Sequence, residues 1–280
     1  MNKEMPPILL EGTGADEISS PERYAKNKFW EFKYVDYVKS KNIKRCYFIF
    51  HYNPEKNKFL KKLKVVFNFH SGSTITKVFV YKNALIAISP LGGPAAAKLM
   101  EELSIFGITE FIAVGSAGCL SPENKDKFLL VEKAIRDEGT SYHYLKPSTY
   151  VETDETLTKE VELFLKEREF GFVKGITWTG DALYRETEQK TKMAKSFGAV
   201  SAEMECASWC AVAKYRGFKF AQLIYFSDII AQGEWTRVLK YKKTGNDAKR
   251  YMMSLLVKEM IDEYSNKNNA ILESVKNKLK

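Results

Sequence analysis

Apolar positions along the chain alternate between the short spacing of strands and the longer spacing of helices. Short apolar runs, many of them β-branched or aromatic, predict strands at residues 8–10, 47–52, 65–69, 77–80, 84–88, 110–114, 128–135, 172–177, 199–201 and 220–226. Turn residues separate several of these runs, as at 53–58 and 70–74. Residues 44–88 are therefore predicted to be rich in strands.

Helical spacing fills most of the intervals between these strands. It predicts helices at about residues 93–106, 154–168, 187–197, 204–216 and 247–264, with a partly helical segment at 21–39. Repeated strand–helix crossovers predict a sheet covered on both faces. Because no proline- or glycine-rich linker interrupts the pattern, we expect one α/β domain over residues 1–265 and a basic tail at 266–280.

Composition narrows the function classes. The chain has 280 residues, 45% of them hydrophobic, which is enough for a sizeable core. Its net charge of +9 comes from scattered lysines without a nucleic-acid motif, so no nucleic-acid partner is expected. No signal peptide or apolar run of membrane length is found, which predicts a cytoplasmic protein without a membrane partner.

The cysteines and histidines do not form a metal-binding pattern. Cys206 and Cys210 lie one helical turn apart and are predicted to be small core residues on one helix face. The spacing of the four cysteines fits neither a zinc site nor a disulfide framework, and the three histidines are dispersed. We therefore expect no metal site.

Three of the predicted apolar strands run into a short polar or glycine-rich element where a helix or loop begins, in the segments at 113–118, 200–205 and 226–228. In open α/β sheets, ligands bind at the carboxyl ends of strands, where the loops leave a crevice. Glycine amides, hydroxyl groups and carboxylates together suit a small ligand rich in hydroxyl groups. A nucleoside is such a ligand.

Five collinear segments resemble the nucleoside phosphorylase family, which includes purine nucleoside phosphorylase, uridine phosphorylase and the methylthioadenosine/adenosylhomocysteine nucleosidases. They are GGPAA at 92–96, VGSAG at 114–118, TGDALYRET at 179–187, AEME at 202–205 and FSD at 226–228. A further segment, RDEGTSYHY at 136–144, resembles the uridine-phosphorylase-like subgroup.

The resemblance carries expectations about fold, assembly and reaction. It implies a three-layer α/β/α sandwich with a mixed, partly barrel-like central sheet, assembled as a homodimer or homohexamer. It also implies cleavage of the N-glycosidic bond of a nucleoside, with phosphate or water as the nucleophile and no cofactor beyond phosphate as co-substrate.

Glu205 is the leading candidate for a catalytic and ribose-binding residue. Ribose offers two adjacent hydroxyl donors, and one ionised carboxylate can accept both. Its negative charge also favours the sugar cation of the transition state. The resemblance implies that Met204 packs against the sugar and that Glu203 belongs to the same ribose site. The alternative for either glutamate is an acid at a helix N-terminus.

A second group of residues is expected at the base. The resemblance implies that Asp228 is a catalytic acid that protonates a purine leaving group, whereas the alternative is a cap on the following turn. Leu183, Tyr184 and Arg185 take the base-binding position. Core packing is the alternative for Leu183 and Tyr184, and pairing with Glu188 is the alternative for Arg185.

Phosphate is expected to contact Gly12, Gly93 and Ser116, because glycine amides and a hydroxyl group can face an anion. The resemblance implies one phosphate-binding arginine in the loop after the first strand and another just before the Val-Gly-Ser segment. Both are missing here, because the loop at 12–16 carries Asp16 and no arginine, and the second position is Ala113. Either Arg136 or a lysine could substitute from another direction.

The nucleosidase branch lacks the same two arginines, so two enzymatic alternatives stay open. The favoured one is a phosphorylase that acts on a purine nucleoside or uridine and yields free base and ribose 1-phosphate. The second is a nucleoside hydrolase of the same fold. A non-catalytic nucleoside-binding module is the third, although such a module would have no need of an acid at Asp228.

Overall fold

The computed structural model describes residues 18–28, 32–50, 56–72, 74–231, 234–237 and 245–278. The predicted strand at 8–10 and the candidate residue Gly12 lie outside these ranges.

Eleven strands are found in the described part of the chain. They are β1 (Arg45–Ile49), β2 (Lys64–Ser71), β3 (Thr74–Tyr81), β4 (Ala84–Ile88), β5 (Glu110–Cys119), β6 (Phe128–Asp137), β7 (Tyr150–Glu152), β8 (Phe172–Gly180), β9 (Ala199–Glu203), β10 (Lys219–Ala231) and β11 (Glu234–Arg237).

Seven α-helices lie between and after these strands in the same described ranges. They are α1 (Pro21–Asn27), α2 (Val35–Ser40), α3 (Gly93–Ser104), α4 (Glu155–Glu167), α5 (Glu188–Ser196), α6 (Cys206–Arg216) and α7 (Gly245–Lys278). Asp154 and Thr187 cap α4 and α5 by accepting backbone N–H groups, as residues of these types commonly do.

All the strands belong to one mixed sheet, and half of it closes on itself. Strand β10 pairs in parallel with β5 and antiparallel with β6, so β5, β10, β6, β8 and β9 form a closed ring of five strands. From β5 the sheet continues as an open part in the order β1, β4, β3, β2. The predicted mixed, partly barrel-like sheet is thereby confirmed.

Helices cover both faces of this sheet. On one face, Met100 of α3 and Trp209 of α6 belong to the same buried cluster as Phe48 of β1, whose ring stacks on Trp209 at a centroid distance of 5.0 Å. On the other face, Val161 of α4 and Val257 of α7 belong to a second buried cluster. This arrangement confirms the three-layer α/β/α sandwich.

Two strands run further than the apolar pattern predicts. β5 continues past residue 114 to Cys119, because Gly118 pairs with Ala202 of β9 and with Asp228 of β10. β10 continues past residue 226 to Ala231, with a bulge at Ser227. The expected loop at 115–118 is therefore a strand, because ring closure supplies backbone partners to a glycine-rich segment.

The remaining predictions have mixed outcomes. Cys206 and Cys210 are buried in α6, as expected for small core residues. Helix α7 continues across residue 265, and the proposed boundary between domain and tail stays a prediction. Within the described residues, no helix combines the length and apolar character needed to cross a bilayer.

Candidate active site

Two buried glutamates stand at the junction between β9 and α6. Glu203 is the last residue of β9, and Glu205 is the residue that immediately precedes the first turn of α6. Their side chains are only 7% and 3% exposed. Met204 lies between them and is half-buried. The sequence pattern placed these residues at a strand–helix junction, and the structure agrees.

The Glu203 carboxylate hydrogen-bonds to groups on both sides of this junction. Its Oε2 accepts the backbone N–H groups of Glu205 and Cys206 at 2.8 and 2.7 Å, and its Oε1 accepts the hydroxyl of Thr179 at 2.5 Å. Burial raises the pKa of this carboxyl group. The contacts are those of an acid at a helix N-terminus, and the ribose role of Glu203 stays a prediction.

Glu205 has a different set of contacts. Its Oε1 accepts the N–H of Gly92 at 2.6 Å, just before α3. Burial, together with the nearby charge of Glu203, raises the pKa of Glu205 to about 8. Through the bond to Gly92, Glu205 joins the start of α3 to the start of α6.

Asp228 projects from a strand that is locally distorted. The bulge at Ser227 shifts the register between β10 and β5, and such bulges often reorient a side chain beside a site. The Ser227 hydroxyl donates to Asp228 Oδ2 at 2.6 Å. Asp228 is itself paired within the sheet, opposite Gly118 of β5 and Arg237 of β11.

Strand register gathers the carboxylates at one end of the closed ring. Gly118 pairs on one side with Asp228 and on the other with Ala202, the residue before Glu203. Glu203 in turn pairs with Thr179 of β8. Ser116 lies two residues before Gly118 on β5 and is exposed. The structure therefore brings three separate sequence segments to one place.

The predicted base-binding residues follow directly after β8. Leu183, Tyr184 and Arg185 form a short 3-10 turn, and Leu183 and Tyr184 are 53% and 96% exposed. Core packing is thus excluded for these two residues. Glu188 pairs with Lys192 at 2.7 Å rather than with Arg185. Their contact with a base stays a prediction.

Gly93 has a packing reason to be glycine. A Cβ at this position would lie 2.4 Å from the Ser208 hydroxyl oxygen and 3.0 Å from that of Thr140. The absence of a side chain thus allows the start of α3 to approach α6 and the turn at Thr140–His143. The contact between Gly93 and phosphate stays a prediction.

Arg136 does not take the place of the missing phosphate-binding arginines. Its guanidinium donates to the hydroxyls of Ser141 and Ser148 and to the carbonyls of Leu145 and Lys146, at 2.7 to 3.1 Å. The side chain is 5% exposed. The suggestion that Arg136 substitutes for them is therefore wrong, because its N–H groups hold the segment at 145–148.

Sequence reasoning missed the polar contacts made to Glu203 and to helix α6. Thr179 and Gln222 hydrogen-bond to the carboxylate of Glu203. Glu138 accepts the N–H of Ser141 and the hydroxyl of Ser208 at its Oε2. An acidic residue before Gly-Thr-Ser is a local signal for a turn cap, whereas the partners on other strands leave no local signal.

No group of three or more potential metal ligands among His, Cys, Asp and Glu was found in the described ranges of the chain. The site is instead built from carboxylates, hydroxyl groups and backbone N–H groups. Such groups bind hydroxyl-rich and polar ligands through hydrogen bonds.

Comparison with known proteins places this site in a family. The profile of the phosphorylase superfamily matches residues 50–262, which include both glutamates and Asp228. The chain therefore belongs to the phosphorylase superfamily.

Individual relatives match this chain at low sequence identity. Uridine phosphorylase of Thermococcus kodakarensis is 36% identical over 111 residues, which cover 37% of this chain and 39% of that protein. A DeoD-type purine nucleoside phosphorylase of Yersinia enterocolitica is 25% identical over 192 residues, 68% of this chain and 80% of that protein. A futalosine hydrolase mutant of Helicobacter pylori shares the fold, with a TM-score of 0.63 and 20% identity over 79% of this chain and all of that one.

Proposed function

We propose that this protein cleaves the N-glycosidic bond of a purine nucleoside or uridine, with phosphate as the nucleophile, and releases free base and ribose 1-phosphate. Such a reaction would serve nucleoside salvage in the cytoplasm. The observation that carries the proposal is the buried Glu205 carboxyl group at the end of the closed strand ring, where strand register also brings Asp228.

In this proposal, Glu205 binds ribose as a carboxylate and accepts the 2′- and 3′-hydroxyl groups. Burial beside Glu203 raises the pKa of this carboxyl group and so disfavours its charged form. Two hydroxyl donors and a developing positive charge on the sugar would both favour ionisation. The interaction is therefore strongest in the transition state, which is the requirement for catalysis.

Asp228 would assist departure of the base. A purine leaves more easily when its imidazole ring is protonated, and a carboxylic acid at the bulge of β10 can supply that proton. The Ser227 hydroxyl bonded to Oδ2 fixes the orientation of this carboxyl group and leaves Oδ1 for the base. Leu183 and Tyr184, both exposed beside β8, would cover the ring of the base.

Phosphate would contact Ser116, the backbone at Gly93 and, as a further contact, Gly12. Names of the curated relatives support phosphorolysis, since they are uridine and purine nucleoside phosphorylases. No metal or organic cofactor enters the proposed chemistry, and phosphate is the co-substrate.

Hydrolysis is a second candidate, and one observation favours it. Arg136 is fully engaged by neutral acceptors, and Ala113 is buried without charge at the position where the phosphorylases carry an arginine. Loss of two charge-assisted phosphate contacts would weaken phosphate binding by about 3–6 kcal/mol if nothing replaced them.

Product analysis distinguishes the two candidates. The chain is incubated with inosine, guanosine, adenosine, uridine or methylthioadenosine, with and without phosphate, and base and sugar products are separated by chromatography. Phosphorolysis requires that base release depend on phosphate and yield ribose 1-phosphate. Equal release without phosphate, with free ribose as the product, would replace phosphorolysis by hydrolysis.

We further propose that the chain assembles as a homodimer or homohexamer. Exposed apolar side chains beside the site, Leu183 and Tyr184 among them, support an assembly that covers them. Light scattering coupled to size exclusion tests this directly. A monomer at micromolar concentration would contradict the proposal.

A further inference from the structure

Exposed lysines are concentrated around helix α2 and the start of strand β2. The described parts of residues 32–64 contain nine lysines, all of them exposed, and one carboxylate, that of Asp36. Contacts in the structure connect five of these lysines, and we call the five the lysine patch: Lys33, Lys39, Lys41, Lys44 and Lys64. A large share of the positive charge therefore lies on one part of the surface.

Two tyrosine rings bring three of these lysines together. The Nζ atom of Lys64 lies 4.8 Å from the ring centroid of Tyr34 and 4.1 Å from that of Tyr37. The Nζ atom of Lys33 lies 5.1 Å from the Tyr34 centroid, and that of Lys41 lies 5.9 Å from the Tyr37 centroid. Both rings are half-buried against the core, so they support the ammonium groups in fixed positions.

The other two lysines of the patch flank the turn that precedes β5. A Cβ atom on Gly107 would lie 3.8 Å from Cγ of Lys39 and 3.9 Å from Nζ of Lys44. Lys39 belongs to α2, and Lys44 directly precedes β1. These two side chains therefore continue the patch along the same short helix.

Carboxylates do not neutralise the patch. None of its five lysines forms an ion pair with a carboxylate in the described ranges, although Asp36 on α2 reduces the excess by one charge. Lysines on other parts of the surface commonly pair with an acidic residue, as do Lys82, Lys98, Lys166, Lys174, Lys192, Lys214, Lys219, Lys258 and Lys267. Neighbouring ammonium groups without such partners repel one another, and a bound anion relieves this repulsion.

The lysine patch and the candidate active site lie at opposite ends of the sheet. Lys44 directly precedes β1, and Lys64, the first residue of β2, is level with the start of β1 across β3 and β4. Gly107 precedes β5, which runs parallel to β1. Asp228 instead pairs with Gly118, near the carboxyl end of β5. The length of β5, 10 residues and about 30 Å, separates the two regions.

We propose that the lysine patch binds single-stranded nucleic acid through its phosphate groups. Such a strand carries a negative charge on every nucleotide, which matches several exposed ammonium groups on one surface. The tyrosine rings hold three of these ammonium groups and leave N–H donors for phosphate oxygens. The absence of a nucleic-acid motif led us to expect no such partner from the sequence, but contacts to phosphate groups need no motif.

The character of the patch favours a nucleic acid strand over a membrane or a protein. Aromatic rings among basic side chains are typical of surfaces that bind single strands. No large apolar side chain is exposed in the described parts of residues 32–64. The patch therefore offers nothing to insert among lipid chains and lacks the apolar centre of most protein interfaces.

Fluorescence anisotropy of a fluorescein-labelled oligo(dT) of about 20 nucleotides tests the binding on the full chain. A dissociation constant in the micromolar range is expected at about 50 mM salt, and it should rise steeply with added salt because binding releases counterions. No binding at up to about 100 μM protein in the low-salt buffer would overturn the proposal.

A triple variant tests the location. Lys33→Gln/Lys41→Gln/Lys64→Gln should weaken oligonucleotide binding at least about tenfold. It should also lower the slope of log Kd against log salt by about 2, because each phosphate contact on a single strand contributes about 0.7. The corresponding Lys→Arg triple variant keeps the charge and should bind within about threefold of the wild type. Equal losses in the Gln and Arg variants would show that charge is not what binds and would contradict the proposal.

A control variant removes the same charge elsewhere. Lys166→Gln/Lys174→Gln/Lys192→Gln replaces three lysines that are ion-paired with glutamates, and it should leave the affinity for oligo(dT) within about twofold. A loss equal to that of the patch variant would mean attraction to net charge alone and would refute the patch.

Two further measurements separate the patch from other sites and partners. Glu205→Ala should bind oligo(dT) like the wild type, because Glu205 lies at the other end of the sheet; a loss of binding would place the strand at the candidate active site and overturn the proposal. Co-sedimentation with phosphatidylserine vesicles, without oligo(dT) binding, would assign the patch to a membrane surface instead. Failure of the proposed nucleoside cleavage would leave all of these binding results unaffected.

Discussion

Replacing Arg136 by lysine tests whether this arginine serves the fold or a phosphate ion. The guanidinium bridges two hydroxyls and two carbonyls on the segment that follows β6. A lysine keeps the positive charge but offers one nitrogen in place of the planar fork. We therefore expect Arg136→Lys to lower stability and to leave the phosphate dependence of base release unchanged.

The size of the effect follows from the contacts. One ammonium group can satisfy about two of the acceptors, so about two hydrogen bonds to a charged donor are lost, each of about 1.5–3 kcal/mol. Residues 146–148 are exposed and can turn to water, which reduces the loss. We expect the free energy of unfolding to fall by about 2–4 kcal/mol, with a melting temperature lower by about 5–10 °C.

Chemical denaturation measures the stability change, and the phosphate dependence of base release measures the functional one. Arg168→Lys is the control, because Arg168 forms surface ion pairs with Glu259 and Glu263. Replacing Arg168 by lysine should lower the free energy of unfolding by less than about 1 kcal/mol. An Arg136→Lys variant of wild-type stability whose KM for phosphate rises tenfold would refute the reasoning and make Arg136 a phosphate ligand.

Three further predictions concern the carboxylates. Glu205→Ala should lose at least about 100-fold in kcat/KM through lost transition-state stabilisation, whereas Glu102→Gln, a buried carboxylate on α3 away from the site, should stay within about threefold. Asp228→Asn should impair purine cleavage far more than uridine cleavage, and equal effects would remove its role as the acid. Because the pKa of Glu205 is raised to about 8, the folded state retains a proton that the unfolded state releases. The free energy of unfolding should therefore fall as pH rises from about 5 to 8, and Glu205→Gln should flatten that dependence in denaturation experiments.

The sequence predicted the order of strands and helices because their apolar periodicity is local. It did not predict how far β5 extends, since residues 115–118 have the glycine content of a loop. Their strand conformation comes from pairing with Ala202 and Asp228, which are 84 and 110 residues away from Gly118 along the chain. Closure of the ring depends on residues that are far apart along the chain, so no short segment of the sequence predicts it.

Motif positions identified the carboxylates, but they did not separate the contacts of Glu203 and Glu205. The two residues share a strand–helix junction, and only their distant partners distinguish them. Glu203 meets Thr179 and the N–H groups of α6, whereas Glu205 meets Gly92 of another segment. Arg136 was likewise ambiguous, because a lone arginine in a sequence shows neither its acceptors nor its burial.

The central claim is that Glu205 holds the ribose hydroxyls in the transition state, and a comparison of ribonucleosides with 2′-deoxyribonucleosides tests it most directly. The measurement is kcat/KM for inosine and 2′-deoxyinosine, or for uridine and 2′-deoxyuridine, in the wild type and in Glu205→Gln. The account predicts that the wild type prefers the ribonucleoside by about 10- to 100-fold, the value of one charge-assisted hydrogen bond, and that Glu205→Gln loses most of this preference. An unchanged preference in Glu205→Gln would show that another group binds the 2′-hydroxyl and would contradict the account.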